Sequence, residues 1–332
     1  MGVETIGETV LFRAFDLFCG GGGSSCGAQM AGVRPVGGID LWPIATQTYK
    51  LNFPKAKVYR RRINGLSATQ VARDVGQVDF LLASPECTNH SVAKGNGPRC
   101  EDSRRTAFEV IRFAKAMQPR WIVIENVTSM RRWHAYDEWL EKLKSLEYNV
   151  LETVLDANDF GVPQKRRRLF ILCDRENEPE WPAKCRGRKA TAQSVLSLTD
   201  EDGENWGFSL LNAPNRAKPT KARARRAIKA LGKEARFLLV YYGSDAAGGW
   251  QRLDKPLRTI TTLDRFALVQ RNGVGRIMRM LQPPELAAAM GFPANYKWPE
   301  TTRRNRIKLL GNAVSPPVMQ AIISSLIENA DG

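Results

Sequence analysis

The chain has 332 residues, enough to bury a large core, with the 43% hydrophobic and 25% charged content of a globular protein. Fifty Lys+Arg against 34 Asp+Glu leave a net charge of +16, which points to a polyanionic partner, nucleic acid first. The acidic start has no apolar core for a signal peptide, and no run approaches about 18 apolar residues, so no membrane span is expected; six scattered cysteines without a Cys-x-x-Cys pair, and two histidines, argue against a zinc site and for reduced thiols in a cytoplasm.

Ala14–Phe18 reads as a short apolar strand that runs into Cys19-Gly20-Gly21-Gly22-Gly23-Ser24-Ser25, with a helix from about Ser24 to Met30. Strand, glycine turn and helix let backbone approach a nucleotide-like ligand at a helix N-terminus; a flexible loop is the plainer alternative. A second strand, Pro35 to Ile39, ends in Asp40. An acid about 20 residues after such a turn can accept both hydroxyls of a ribose. Trp42 to Phe53 reads as a helix stopped by Pro54, and Arg60-Arg61-Arg62 as solvated basic surface.

Val78 to Ala83 is an apolar run that stops at Ser84-Pro85, where proline forces a loop. Cys87 therefore sits just past a strand end, where open α/β sheets collect their reacting groups; a small buried thiol is the alternative. The loop continues through Lys94-Gly95-Asn96-Gly97-Pro98, and Asp102 or Ser103 can cap the next helix, whose apolar residues Ala107, Val110, Ile111, Ala114 and Met117 have helical spacing. Trp121 to Ile124 is a buried strand that delivers Glu125-Asn126 to the same sheet edge. A carboxylate after four apolar residues costs much to bury without a purpose, although a capped or ion-paired Glu would also fit.

A helix from about Ala135 to Leu146, a strand near Asn149 to Leu155, and Gln164-Lys165-Arg166-Arg167-Arg168 ahead of a strand at Leu169 to Leu172 complete the first half. This alternation predicts an α/β fold: a Rossmann-like, mostly parallel sheet with helices on both faces. After Asp174 the character changes, and a smaller β-rich domain is expected there. We place a first domain at 1–178 and 304–332 and a second at 179–303. Between Lys218 and Arg236 stand eight Lys/Arg against one acid, Glu234, with Ala224, Ala227, Ile228, Leu231 and Ala235 as one apolar helical face: either a helix with a basic outer side or a phosphate-binding surface. Phe237 to Tyr242 and Thr259-Ile260-Thr261-Thr262 read as strands, and a last helix, about Pro316 to Glu328, returns to pack on the first domain.

At this point the chain resembles the cytosine-5 DNA methyltransferases. The matching pieces, in family order, are Phe15-Asp16-Leu17-Phe18-Cys19-Gly20-Gly21-Gly22-Gly23, Pro85-Glu86-Cys87, Glu125-Asn126-Val127, Gln164-Lys165-Arg166-Arg167-Arg168, Pro256-Leu257-Arg258-Thr259-Ile260-Thr261 and Gly311-Asn312-Ala313-Val314. Each is weak alone; six in one order are specific. They cover roughly 13–174 and 255–325, and the stretch between falls where the family keeps its target-recognition region.

The resemblance implies methyl transfer from S-adenosylmethionine to carbon 5 of a flipped-out cytosine in a specific duplex DNA sequence, with no metal. It makes Cys87 the nucleophile, Glu125 the acid at ring nitrogen 3, Arg166 and Arg168 the pair that orients the base, and Asn126 the residue that positions the Cys87 loop. It puts Phe18 on the adenine, Gly20, Gly22 and Gly23 on the methionine part, and Asp40 on the ribose. Leu41, Ile63, Asn312 and Ala313 would complete the cofactor pocket. Lys94 to Gly97 would close as a lid. Two departures stand out: Glu86 replaces a second proline, and Arg62 stands where an adenine-binding Asp is expected, with Asn64 as a substitute. The implied setting is a monomer on DNA in a bacterial cytoplasm, associated with the nucleoid, without membrane and with a restriction endonuclease as a partner. The alternatives are RNA cytosine-5 methylation, a catalytically silent DNA-binding protein on the same fold, and a cysteine hydrolase pairing Cys87 with His90 or His134.

Overall fold

A computed structural model describes residues 12–85, 101–187, 189–196, 206–242, 245, 248–273 and 275–331. Cys87, Glu86, His90 and the Lys94–Gly97 segment lie outside the described residues.

The first sheet takes β1 (Arg13–Leu17), β2 (Arg34–Asp40), β3 (Lys57–Arg60), β4 (Phe80–Ala83), β5 (Trp121–Asn126), β6 (Asn149–Asp156) and β7 (Arg167–Asp174) in the order β3-β2-β1-β4-β5-β7-β6. Strands β3, β2, β1, β4 and β5 run parallel, and β7 runs antiparallel to β5. Strands β4 and β5 are buried along their whole length, which is why Phe80–Ala83 and Trp121–Ile124 read as unbroken apolar runs. Helices α1 (Gly23–Met30), α2 (Pro43–Asn52), α3 (Ala68–Val75), α4 (Glu101–Met117) and α5 (Tyr136–Lys144) alternate with them. One core cluster joins Phe15, Leu17, Leu81 and Ile122 of the sheet to Val71 of α3, Val110 and Phe113 of α4 and Trp139 of α5.

Asp102 and Ser103 lie inside α4 rather than capping it. Strand β3 and helix α3 were not expected. β3 is an edge strand whose ends are exposed, so it has no apolar run to announce it.

The second sheet is antiparallel, in the order β10 (Trp250–Arg252), β9 (Phe237–Val240), β11 (Phe266–Asn272), β12 (Gly275–Met280), β8 (Ser209–Leu210). Helix α6 (Lys218–Leu231) covers it, burying Thr220, Ala224 and Ala227 toward Phe237, Leu239, Ala267 and Val269. Helices α7 (Pro283–Met290), α8 (Arg303–Asn312) and α9 (Pro316–Asp331) follow.

Thr259–Thr262 is not a strand. Side chains take its backbone groups instead: Gln164 Oε1 accepts the Ile260 N–H (2.8 Å), Arg166 donates to the Ile260 carbonyl, and Tyr242 donates to the Thr259 carbonyl (2.7 Å). No ladder is left for it to join.

Two compact units emerge: Met1–Val154 with Arg168–Ala183 and Val318–Gly332, and Leu155–Arg167 with Lys184–Pro317. Residues 155–167 and 304–317, expected in the first domain, thus pack with the second unit. The stretch Arg303–Ala330 is long and apolar enough by length and mean composition to cross a membrane, although it holds no unbroken apolar run. It is broken between α8 and α9, and Val318, Met319, Ile322, Ile323 and Leu326 are buried as core.

Candidate active site

The first cluster of site residues is built where β1 ends. Phe18 takes a left-handed backbone conformation (φ 60°), and Gly20 and Gly22 follow at 52° and 86°; Gly22 is the N-cap of α1. Only glycine holds such angles without strain, and this lets the chain reverse within four residues. The turn is tied on three sides. Gly22 N–H donates to the Cys19 carbonyl (2.8 Å), Cys19 N–H to the Ile39 carbonyl of β2 (3.0 Å), and Gly20 N–H to Asp40 Oδ2 (2.9 Å). The other Asp40 oxygen accepts Trp42 N–H (2.8 Å). Asp40 therefore braces the glycine turn and the start of α2 at once.

Beside the turn lies Asp16, which is 1% exposed. Its Oδ2 accepts the Ser25 hydroxyl (2.8 Å), which also meets the Tyr49 hydroxyl (2.8 Å). Its Oδ1 has no partner among the described residues. Burial pushes the Asp16 carboxyl up to about 7, against the pull of the Ser25 hydroxyl and with the help of the Asp40 charge. Sequence reasoning gave Asp16 no role. A charged residue inside an apolar strand was the available signal, the same one that drew attention to Glu125.

The N-terminus of α1 has no side-chain cap and no acid in its first turn; the Ser25 backbone N–H of that turn meets the Asp16 carboxyl. A buried acceptor without a donor, an uncapped helix start and the Asp40 carboxylate together suit a ligand carrying an ammonium, a carboxylate and a ribose. Around them, Phe18 packs partly buried against the core, Leu41 is 50% exposed, and Ile63 is buried with its carbonyl held by Arg112 Nη2 (2.7 Å). Arg62 and Asn64 are exposed.

The second cluster lies at the ends of β4 and β5. Asn126 is 3% exposed; its Nδ2 donates to the Pro85 carbonyl (3.1 Å) and its Oδ1 accepts Val127 N–H (2.8 Å). It thereby fixes the backbone two residues ahead of Cys87. Glu125, 7% exposed, is paired with Arg168 of β7, Nε to Oε1, at 3.0 Å. Among the described cysteines, burial pushes Cys26 up to about 12 and raises Cys19 and Cys173 as well, so these thiols are poor nucleophiles. His134 is exposed, with its ring near that of Trp133.

Arg166 and Arg168 have different partners. Arg166 is 3% exposed and donates to three carbonyls of the second unit: Ile260 (3.1 Å), Gly311 (3.0 Å) and Ala313 (2.9 Å). Gln164, whose role the sequence did not suggest, grips the same region through Ala289, Met290 and Ile260. Asn312 is exposed at the end of α8, and Ala313 beside it is buried. Among the described residues no group of three His, Cys, Asp or Glu side chains could hold a metal ion.

Comparison with known proteins follows the same lines. The profile of the family described as C-5 cytosine-specific DNA methylase matches residues 12–328. Type II methyltransferase M.DdeI of Desulfomicrobium norvegicum is 35% identical over 173 residues, which cover 49% of this chain and 41% of that protein. Type II methyltransferase M.HaeII of Haemophilus aegyptius is 27% identical over 323 residues, 96% of this chain and 93% of that one. The crystal structure of the S. pombe Dnmt2 methyltransferase shares the fold with a TM-score of 0.70 at 19% identity, covering 97% of this chain and 100% of the other.

Proposed function

The chain belongs to the C-5 cytosine-specific DNA methylases, and from that premise we propose that it methylates carbon 5 of cytosine in duplex DNA through a transient bond between the Cys87 sulfur and carbon 6. The observation that carries this reading is the paired contact at the ends of β4 and β5. Asn126 holds the Pro85 carbonyl, and the neighbouring Glu125 is paired with Arg168.

S-adenosylmethionine, when bound, supplies a methyl group on a positively charged sulfur. Phe18, Gly20, Gly22, Gly23, Asp40, Leu41 and Ile63 would hold it, and the partnerless Asp16 oxygen and the uncapped start of α1 suit its ammonium and carboxylate. Asn312 and Ala313 join this set on the family motif alone.

Cys87 acts as a thiolate whose sulfur adds to carbon 6. The electron pair of the 5,6 double bond then moves toward ring nitrogen 3, where Glu125 shares a proton with it. Arg168 keeps the Glu125 carboxyl oriented for that contact. Arg166 acts at a remove, by fixing the segment around Ile260 and the Gly311–Ala313 turn. Once carbon 5 carries the methyl group, loss of its proton to water restores the double bond and expels the Cys87 sulfur. The base must leave the duplex stack to meet Cys87, and Lys94 to Gly97 would close over it.

Because the relatives are named Type II methyltransferases, the target is proposed to be one short sequence, with a partner endonuclease acting at it. Incubation with labelled cofactor and mixed-sequence duplex DNA tests the activity; no label at cytosine carbon 5 sinks the reading. Transfer by Cys87→Ser would sink the mechanism and leave the activity. Competition between duplex DNA and transfer RNA separates the DNA reading from the RNA alternative.

A further inference from the structure

Eight cations stand between Lys218 and Arg236, and the fold sorts them. Helix α6 turns Thr220, Ala224 and Ala227 to the second sheet, with Ile228 and Leu231 packed beside them. Two of its arginines, Arg223 and Arg226, are paired with Asp245 at 2.8 and 2.5 Å. Four cations remain on the helix: Lys218, Lys221, Arg225 and Lys229. At 3.6 residues per turn they fall within about 80° of arc, away from both the buried face and the Asp245 pairs. Lys218, Arg225 and Lys229 are exposed and Lys221 half-buried. None of the four is ion-paired among the described residues. The stripe spans about 16 Å along the helix axis, long enough to face several phosphates of one strand.

An ordinary solvated helix face intersperses acids among its cations at i, i+3 and i, i+4, as α5 does with Glu138–Lys142 and Glu141–Lys144. α6 carries no acid at all. Like charges one turn apart repel, so the stripe destabilises the isolated helix and calls for an external polyanion. A line of cations at near-regular spacing suits a partner with regularly spaced negative charges, and lysines act on it as point charges rather than base readers.

We propose that α6 holds the phosphate backbone of duplex DNA, without regard to base sequence, through the single stripe Lys218, Lys221, Arg225 and Lys229. This rests on the duplex-DNA reading above and adds the surface that anchors the duplex. Arg223 and Arg226 are excluded from it because both are already engaged by Asp245, on another side of the helix.

The test is the salt dependence of binding to a mixed-sequence duplex, followed by fluorescence anisotropy on the full chain. Replacing the four cations by Gln should lower the slope of log affinity against log salt by about 3 to 4, at roughly 0.9 per lost phosphate contact. The charge-conserving K218R/K221R/R225K/K229R should keep the slope, which separates lost charge from lost folding. Arg252→Gln with Arg271→Gln, both paired on the surface, should leave it unchanged. An unaltered slope in the four-Gln protein overturns the proposal, as does a loss confined to one target sequence. Binding of wild type to phosphatidylglycerol vesicles but not to duplex DNA also overturns it. A wild type that binds duplex with the expected slope yet transfers no methyl group refutes the enzymatic reading and leaves the stripe standing; the reverse result does the opposite.

Discussion

Gly311 is where one added methyl group should do most harm. A Cβ built there would lie closer than 3.0 Å to the backbone carbonyl of Thr261 and the amide nitrogen of Thr262. These are backbone atoms, so no side chain can swing aside. Carbon contacts relax at about 3.5 Å or more, so α8 and the 260–262 segment would have to part by on the order of 1 Å. Arg166 bridges that same gap, donating to Ile260 on one side (3.1 Å) and Gly311 on the other (3.0 Å). Opening it by that much breaks at least one charged hydrogen bond, about 1.5–3 kcal/mol. Overpacking adds about 1–3 kcal/mol. Gly311→Ala should therefore lose roughly 3–6 kcal/mol, read as a lower midpoint in urea unfolding followed by tryptophan fluorescence. Gly65→Ala is the control, because its Cβ would meet nothing within 4 Å; its stability should stay within about 0.5 kcal/mol of wild type. If Gly311→Ala behaves like Gly65→Ala, the close approach is not a constraint and the coupling to Arg166 is wrong.

Asp16→Asn should stabilise the protein at pH 8 and not at pH 4. The folded carboxyl sits at about 7 against an ordinary 3.8. Its contribution is thus fully present below about pH 4 and is lost as the pH rises through 7, by about 4 kcal/mol in the limit; an equal gain at both pH values in urea unfolding would refute this. Arg279 and Glu285 form a buried pair, 1% and 3% exposed, with the guanidinium also over Trp206 at 4.6 Å. Arg279→Met alone should cost about 3–5 kcal/mol by stranding the carboxylate, while Arg279→Met with Glu285→Leu recovers most of it; a double variant as weak as the single one argues against that account. Asn126→Ala should slow single-turnover methyl transfer at least tenfold by releasing the Pro85 carbonyl, with about 1–3 kcal/mol of stability lost. An unchanged rate would mean that the Pro85 anchor does not govern the Cys87 loop.

Local pattern made part of this architecture readable. Ala14–Phe18, the glycine turn and Asp40 declare themselves because apolar runs, left-handed glycines and a strand-ending acid each follow from short-range physics. The edge strand Lys57–Arg60 has no such run. Thr259–Thr262 has strand-like residues, yet Gln164 and Arg166, nearly a hundred positions earlier, take its hydrogen bonds. The two arginines two residues apart looked like one device; Arg168 faces Glu125, while Arg166 binds carbonyls as distant in sequence as Ala313. Contacts at such separations leave no periodicity to detect, and the partnerless oxygen of Asp16 appears only once its neighbours are folded around it.

The return of α9 to the first unit has a consequence for synthesis. Val318, Met319, Ile322, Ile323 and Leu326 belong to the core of a unit whose other strands and helices were translated much earlier. At ribosomal speeds of about 5–20 residues per second, the 134 residues from Lys184 to Pro317 take roughly 7–27 seconds to emerge. Through that interval the seam awaiting α9 stays apolar and uncovered. The second unit can close while the first is still waiting, so a nascent chain of this protein is most prone to stick to others, and most in need of a chaperone, just before α9 emerges.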